Sequence, residues 1–289
     1  MNRPRLIASA AFALVLSGCA ATGPASGAAP AAPTTGPSVM PSAASVASSA
    51  SSLTIYGAAS LKEVLARLAV EYPAGHPGIA LTVSTDSSAA LEAQIEQGAP
   101  ADVFLSADTR NPQRLVARGL AAEAVPFARN VLTIIVPRAG AGGANPSGIH
   151  DPIDLGRRGV KIIAAGDAVP ITTYARQLVA NLAREPGYPA GFAAAYEMNV
   201  VSREDNVGAI VTKVALGEGD AGIVYATDAR SSTQVATIDL PAGANVVATY
   251  AGALVASSRR PDAGRAFLHW LAGPEGVSIL AEFGFLPPS

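Results

Sequence analysis

Four times along this chain a short, strand-like apolar run passes into a helix through a turn of small or hydroxyl-bearing residues: at Ser60, at Ser88, near Ile171 and near Val207. This alternation constrains the fold more than any other feature of the sequence. A strand followed by an amphipathic helix and another strand implies a parallel sheet with helices on its faces. It also constrains what such a fold can bind. A helix N-terminus presents backbone N–H groups that have no intrahelical acceptor, together with a partial positive charge. Small side chains let an anion reach that backbone. The first two joints, Tyr56-Gly57-Ala58-Ala59-Ser60-Leu61 and Thr85-Asp86-Ser87-Ser88-Ala89-Ala90-Leu91, add hydroxyl donors. Ser, Thr, Asp and Asn at such places also serve simply as helix caps. The functional reading therefore turns on whether the four joints converge.

The spacing predicts a first strand at Leu53–Tyr56. The helix after it carries Leu61, Val64, Leu65, Leu68 and Ala69 as one apolar stripe, ended by Pro73, Gly75, Pro77 and Gly78. A strand at Ile79–Val83, a helix from Ser88 to Gln97, a strand at Asp102–Ser106 and a helix entered at Asn111-Pro112 complete one unit. A second unit opens with an apolar strand at Val131–Val136. It continues with a strand at Val160–Ala164, a helix from Pro170 to Arg184 and a short strand at Asn199–Val201. Next come a helix carrying Val207, Ile210, Val211 and Val214, and a strand at Ala221–Tyr225. Val246–Ala256 reads as a long strand pair or bend. The C-terminal helices, with Phe267, Leu268, Trp270 and Leu271, have no strands of their own and need the first unit's sheet to cover. The expected fold is α/β and two-lobed, each lobe a mainly parallel sheet flanked by helices, with a ligand cleft between them. Lobe 1 is expected at 53–130 plus 250–289, and lobe 2 at 131–249.

The beginning of the chain is a different kind of sequence. Arg3 and Arg5 precede an apolar run from Leu6 to Leu16 that is too short to be an ordinary spanning helix. Leu16-Ser17-Gly18-Cys19 resembles the lipobox of bacterial lipoproteins. The resemblance implies a signal peptide over 1–18, lipidation of Cys19 and attachment to the outer surface of a membrane. The alternative is a plain secretory peptide with an incidental cysteine. Cys19 is the only cysteine in the chain, so no internal disulfide can form. Residues 20–52 carry no charge and are almost entirely Ala, Ser, Pro, Gly and Thr. They cannot bury enough apolar surface to offset their ordering entropy. They read as a tether reaching roughly 30 Å. Taking the leader's two arginines from the 20 basic residues, against 22 acidic ones, leaves a net charge of −4. With 5% aromatic residues, this is a poor nucleic-acid binder.

Catalytic patterns are sparse. Of three histidines, His76 lies in a Pro/Gly turn, His150 in a loop, and His269 beside Trp270 in a structural-looking helix. There is no Gly-x-Ser-x-Gly elbow and no His-Glu-x-x-His pair. Gly217-Glu218-Gly219-Asp220-Ala221-Gly222 matches Gly-x-Gly-x-x-Gly, but it leads from a helix into a strand, the reverse of the dinucleotide-binding context. A surface hydrolase would need a nucleophile–base pair that these patterns do not supply.

Several runs carry a resemblance: Ala58-Ala59-Ser60-Leu61, Ser87-Ser88, Gln94-Ile95-Glu96-Gln97-Gly98-Ala99-Pro100-Ala101-Asp102-Val103-Phe104-Leu105-Ser106-Ala107-Asp108, Gly166-Asp167, Val169-Pro170, Tyr174-Ala175, Asp205-Asn206-Val207, Gly222-Ile223-Val224-Tyr225, Thr227-Asp228-Ala229 and Phe283-Gly284-Phe285. From about Leu53 to Pro287 the chain resembles the molybdate-binding proteins of bacterial ABC-type uptake systems. These are extracytoplasmic solute-binding proteins of the type II periplasmic-binding-protein fold. The resemblance implies capture of molybdate or tungstate, delivery to ABC transporter permease subunits, and a monomer without a cofactor or a cation site. It also implies hydroxyl donors at Ser60, Ser88 and Tyr225 and backbone N–H donors at Ile171 and Val207. Two places depart from the family. Ile171-Thr172-Thr173 stands where small residues are usual, and the threonines offer extra hydroxyls. Asp86 stands where Gly, Ala or Ser is usual. A carboxylate would repel a dianion, so Asp86 and Asp205 are expected to turn away and cap their helices. A site built from donors alone favours a fully deprotonated anion, because a protonated one needs an acceptor. Another small oxyanion such as sulfate, or an organic acid, is the alternative ligand.

Overall fold

In the computed structural model, residues 51–138 and 147–288 are described. The leader, Cys19 and the tether lie outside them, apart from the tether's last two residues. The first unit runs as expected: β1 (Ser51–Ala58), α1 (Lys62–Gly75), β2 (Ile79–Asp86), α2 (Ser88–Glu96), β3 (Val103–Ser106) and α3 (Arg110–Ala117). β1 lies between β2 and β3 and pairs in parallel with both, with Leu53 opposite Leu81 and Ile55 opposite Val103. On α1, Val64, Leu65 and Leu68 of the apolar stripe are buried and Tyr72 extends it. The helix ends at Gly75, within the expected break, and tolerates Pro73 in its last turn.

The largest difference from expectation is β4, which spans Ala121–Pro137 and starts ten residues before the apolar run at Val131. Glu123, Pro126, Arg129 and Asn130 interrupt the pattern, and register shifts between Ala121 and Ala124 and between Pro126 and Ala128 absorb the irregularity. The first part of β4 pairs antiparallel with β9 (Val247–Val255). The last part pairs antiparallel with β7 (Ala221–Tyr225) and β8 (Val235–Ile238). Between them lie β5 (Ile162–Ala165), α4 (Pro170–Leu182), α5 (Phe192–Met198), β6 (Val200–Glu204) and α6 (Val207–Ala215). A short helix, α7 (Ala226–Arg230), follows β7.

The resulting strand order is β2-β1-β3-β9-β4-β7-β5-β6, with β8 also on β4. Two parallel triads, β2-β1-β3 and β7-β5-β6, flank an antiparallel pair, β9 and β4. The Val246–Ala256 run is therefore one strand and not a hairpin. The C-terminal helices α8 (Pro261–Ala272) and α9 (Pro274–Glu282) return to the first unit: α8 packs on β9 and β4, and α9 on α1. Gly252 makes the close approach possible, since a Cβ there would sit 2.6 Å from Leu268 and 2.8 Å from Leu105. One continuous core of buried aliphatic and aromatic side chains runs under both triads. A smaller one, around Leu91, Phe104 and Leu115, lies beneath α2 and α3. Among the described residues, no helix is long and apolar enough to cross a membrane.

Candidate functional site

Each parallel triad ends its strands in helix starts, and those starts face one another. Ser60 sits in a 3-10 turn between β1 and α1 (Ala59–Leu61), and Ser88 is the first residue of α2. Ile171 is the second residue of α4 and Val207 the first of α6, so both N–H groups precede the first intrahelical acceptor. The approach of α6 to its sheet is set by Gly222 of β7, where a Cβ would lie 2.6 Å from Ile210. Ser60, Ser88, Ile171, Val207 and Tyr225 line one cavity, together with Ala58, Ala59, Ser87, Ala107, Val169 and Pro170. No charged side chain lines it. Its volume is about 10 Å³, about what one water-sized sphere needs.

Capping does not account for the two serines. At α2 the cap is Ser87, whose Oγ accepts from the Ala90 N–H at 3.3 Å. Ser88 Oγ instead accepts from the Ala107 N–H at 3.0 Å. Ser60 makes no capping bond; its Oγ lies 2.9 Å from the Tyr250 hydroxyl. At α6 the cap is Asn206, whose Oδ1 accepts from the Ala209 N–H at 3.1 Å.

Tyr225 ends β7 with its hydroxyl buried and, among the described residues, without a hydrogen-bond partner. Burial pushes its pKa well above the usual tyrosine value, so the oxygen keeps its proton and remains a donor. Its ring meets those of Tyr174 and Tyr250 edge-on, at 6.3 Å and 5.5 Å. Nearby, Asp228 is buried at the third position of α7, and one of its carboxylate oxygens is unpartnered. Burial raises its pKa to about 8, against the pull of a hydrogen bond from the Tyr225 backbone. At neutral pH it is mostly protonated, so it places little negative charge behind the cavity.

The two departures resolve locally. Asp86 turns away as expected, accepting from the Ser87 N–H at 2.7 Å, but it does not cap α2; Ser87 outcompetes it from the cap position. Asp205 is exposed, and its expected capping role belongs to Asn206. Thr172 donates to the carbonyls of Gly166 at 2.8 Å and Ala165 at 3.1 Å, so its hydroxyl is already used. Thr173 Oγ1 accepts from Arg110 at 2.8 Å. Neither threonine lines the cavity, and the Ile171 side chain is 1% exposed within the core. Sequence reasoning missed Tyr250, Asn130 and the Ala107 N–H, all of which support the serines. Ala107 lay inside the quoted Ser106-Ala107-Asp108 run; nothing local marked the other two.

A wider groove of about 800 Å³ begins at Ser60 and runs between α1, α6, α7 and the C-terminal segment. It carries both signs of charge, including Lys62, Glu63, Arg230 and Glu282, and excludes Ser88, Ile171 and Tyr225. The converging donors are in the small cavity. His76 is spent on packing: it stacks on Tyr72 with ring centroids 4.0 Å apart.

The sequence pattern of the family described as bacterial extracellular solute-binding protein matches residues 53–286. The molybdate-binding protein ModA of Mycobacterium tuberculosis (strain H37Rv) is 32% identical over 83% of this chain and 86% of its own length. Two solved structures share the fold. The periplasmic molybdate-binding protein of Azotobacter vinelandii has a TM-score of 0.66 at 23% identity, over 82% of this chain and all of that one. The sulfate-binding protein SubI of M. tuberculosis has a TM-score of 0.71 at 21% identity, over 82% of this chain and 87% of that one. The α/β architecture, with its central sheet flanked by helices, is thus that of type II periplasmic binding proteins, and the chain belongs to the bacterial extracellular solute-binding protein family.

Proposed function

We propose that this protein captures molybdate or tungstate outside the cytoplasmic membrane and delivers it to the permease of an ABC-type transporter. The observation that carries the reading is a compact cavity, free of charged side chains, lined by four hydroxyl-bearing residues (Ser60, Ser87, Ser88 and Tyr225) and by the starts of α4 and α6. Hydroxyl and backbone N–H donors of this kind suit the oxygens of a fully deprotonated tetrahedral anion, and the cavity presents no carboxylate to accept a proton carried by the ligand. The curated relative at 32% identity carries the name molybdate-binding protein, which supports the same ligand. In this reading Ser60, Ser88 and Tyr225 donate through hydroxyls, and Ile171 and Val207 through their backbones. No cofactor and no cation take part. The lobes are 53–130 plus 250–289 and 131–249, and they open and close about β4 and β9. A lipid on Cys19 holds the monomer at the membrane through the tether at 20–52.

Isothermal titration of the detergent-solubilised chain with molybdate, tungstate and sulfate tests this. One-to-one binding of molybdate and tungstate, tighter than that of sulfate, is the expected outcome. Absence of molybdate and tungstate binding at micromolar concentrations overturns it. Sulfate is the second reading, because a donor-only cavity accepts any fully deprotonated tetrahedral oxyanion. Preferential sulfate binding in the same titration would select it.

A further inference from the structure

A hydroxyl can donate to an anion only if its hydrogen is not already committed. Ser60 has one hydrogen and two lone pairs, and its oxygen lies 2.9 Å from the Tyr250 hydroxyl, where either group could be the donor. The atoms behind Tyr250 decide between the two. Asn130 is fully buried on β4, and its Oδ1 accepts from the Val131 N–H at 3.0 Å. That bond fixes the amide, so Nδ2 faces inward. Nδ2 can only donate. It donates to Thr227 Oγ1 at 2.8 Å and, more weakly, to the Tyr250 hydroxyl at 3.4 Å. Tyr250 thus receives a hydrogen from Asn130, and its own hydrogen is left for Ser60. With one lone pair filled, Ser60 has its hydrogen free for the cavity.

The second serine is arranged the same way by other means. Ser88 Oγ accepts from the Ala107 N–H, which again fills a lone pair and leaves the hydroxyl hydrogen free. Tyr225, with no partner among the described residues, has an uncommitted hydrogen.

From this the geometry points to Asn130 and Tyr250 as positioning residues that set the proton direction at Ser60, and so determine specificity for a fully deprotonated oxyanion. The inference rests on the proposed oxyanion reading and adds to it. Donor character at Ser60 is imposed by a buried relay, Val131 N–H to Asn130 to Tyr250 to Ser60, and is not a default of serine. Without the relay the Ser60 oxygen can turn a lone pair to the cavity, accept a hydrogen bond from the O–H of a ligand such as hydrogen phosphate, and lose discrimination. Tyr250 has a separate structural role, since its ring packs on Phe127, Tyr225 and Phe285. The test must therefore isolate the hydroxyl.

A double-mutant cycle does this. In the full-length chain, Tyr250→Phe keeps the ring and deletes the oxygen. It should lower molybdate affinity by about 5- to 10-fold, in line with one lost buried hydrogen bond. It should also raise competition by hydrogen phosphate relative to wild type. In a Ser60→Ala background, where there is no hydroxyl left to orient, Tyr250→Phe should change molybdate affinity less than 2-fold. Non-additivity of this kind is the mark of one residue acting through another. Asn130→Ala, read through the same cycle, should lose affinity where Ser60 is intact and little in the Ser60→Ala background. It serves as the independent readout if Tyr250→Phe is poorly folded by thermal melting. Full additivity, or an unchanged molybdate-to-phosphate ratio, overturns the inference. Wild type that binds none of molybdate, tungstate and sulfate removes the oxyanion reading itself, so the two failures are distinct.

Discussion

In the proposed reading, the two walls of the cavity donate hydrogen by different means. The wall from the first parallel triad uses side chains: Ser60 and Ser88 bring hydroxyls whose direction is set by Tyr250 and by the Ala107 N–H. The wall from the second triad uses the backbone: Ile171 and Val207 bring N–H groups whose direction is fixed by the first turns of α4 and α6. The hydroxyl wall depends on residue identity and needs a supporting network. The backbone wall is indifferent to the side chain so long as the helix begins at the right residue. This explains how Ile171-Thr172-Thr173 can replace smaller residues. The bulk of Ile171 goes into the core, and its backbone still lies at the cavity-lining start of α4.

The sharpest way to break that contrast is to remove a backbone donor without disturbing its helix. Val207 is the first residue of α6, where proline is well tolerated. Asn206 before it is extended, at φ −153° and ψ 167°, the conformation that a following proline demands. Val207→Pro should therefore preserve the helix by circular dichroism and cost about 3 kcal/mol of molybdate binding, by loss of an N–H donor to a charged group. Retained affinity would remove Val207 from the site. Next in size come Ser60→Ala and Ser88→Ala, each expected to cost about 1.5–3 kcal/mol of binding by titration. The Ala107 N–H is left without its acceptor in the second variant, so Ser88→Ala should also lower the melting temperature more than Ser60→Ala does.

The same division decided what could be read from the sequence. The helix starts, and the serines that the fold brings to the cavity, were legible because they are local: small residues and serines at strand-to-helix joints leave a pattern within a few positions. The stripe on α1 was legible for the same reason. The first part of β4 was not, because Glu123, Pro126, Arg129 and Asn130 break the alternation, and only pairing with β9 makes a strand of them. α5 was not, because Gly187, Pro189 and Gly191 crowd its start and only Phe192 and Tyr196 mark its buried face. The relay behind Ser60 was least legible of all. Tyr250 reaches Asn130 only because β9 pairs with β4, with Ala128 opposite Tyr250. No window of the sequence contains that information.

If the backbone wall ignores side-chain identity, Ile171→Ala should separate binding from stability. The side chain is 1% exposed and packed in the core, so truncation should cost about 2–5 kcal/mol of folding free energy by denaturant titration. The N–H is untouched, and molybdate affinity below the new melting transition should change by less than about 0.5 kcal/mol. A binding loss as large as that of Ser60→Ala would show that Ile171 acts through its side chain, and would collapse the distinction between the walls.

The smallest effect is expected where the two walls touch. Arg110, at the start of α3, lies 3.3 Å from Asp108 and donates to Thr173 Oγ1 at 2.8 Å, on the first turn of α4. Asp108 is a firm anchor: it is 2% exposed and accepts from Ser106 Oγ at 2.9 Å and from the Asn111 N–H at 3.0 Å. The bond therefore runs from a fixed point on the hydroxyl wall to the backbone wall, close beside the cavity. Because the Arg110 side chain is 52% exposed, water competes for the contact and its net value is modest, about 0.5–1 kcal/mol. In the proposed opening and closing of the lobes, a contact between the walls stabilises the closed form and slows release. Thr173→Val and Arg110→Ala should each raise the molybdate dissociation rate by about 2- to 5-fold in stopped-flow measurements, and the double variant should do no more than either alone. Additive effects would mean that the two residues act separately, and that the walls are held together by the ligand and the hinge strands alone.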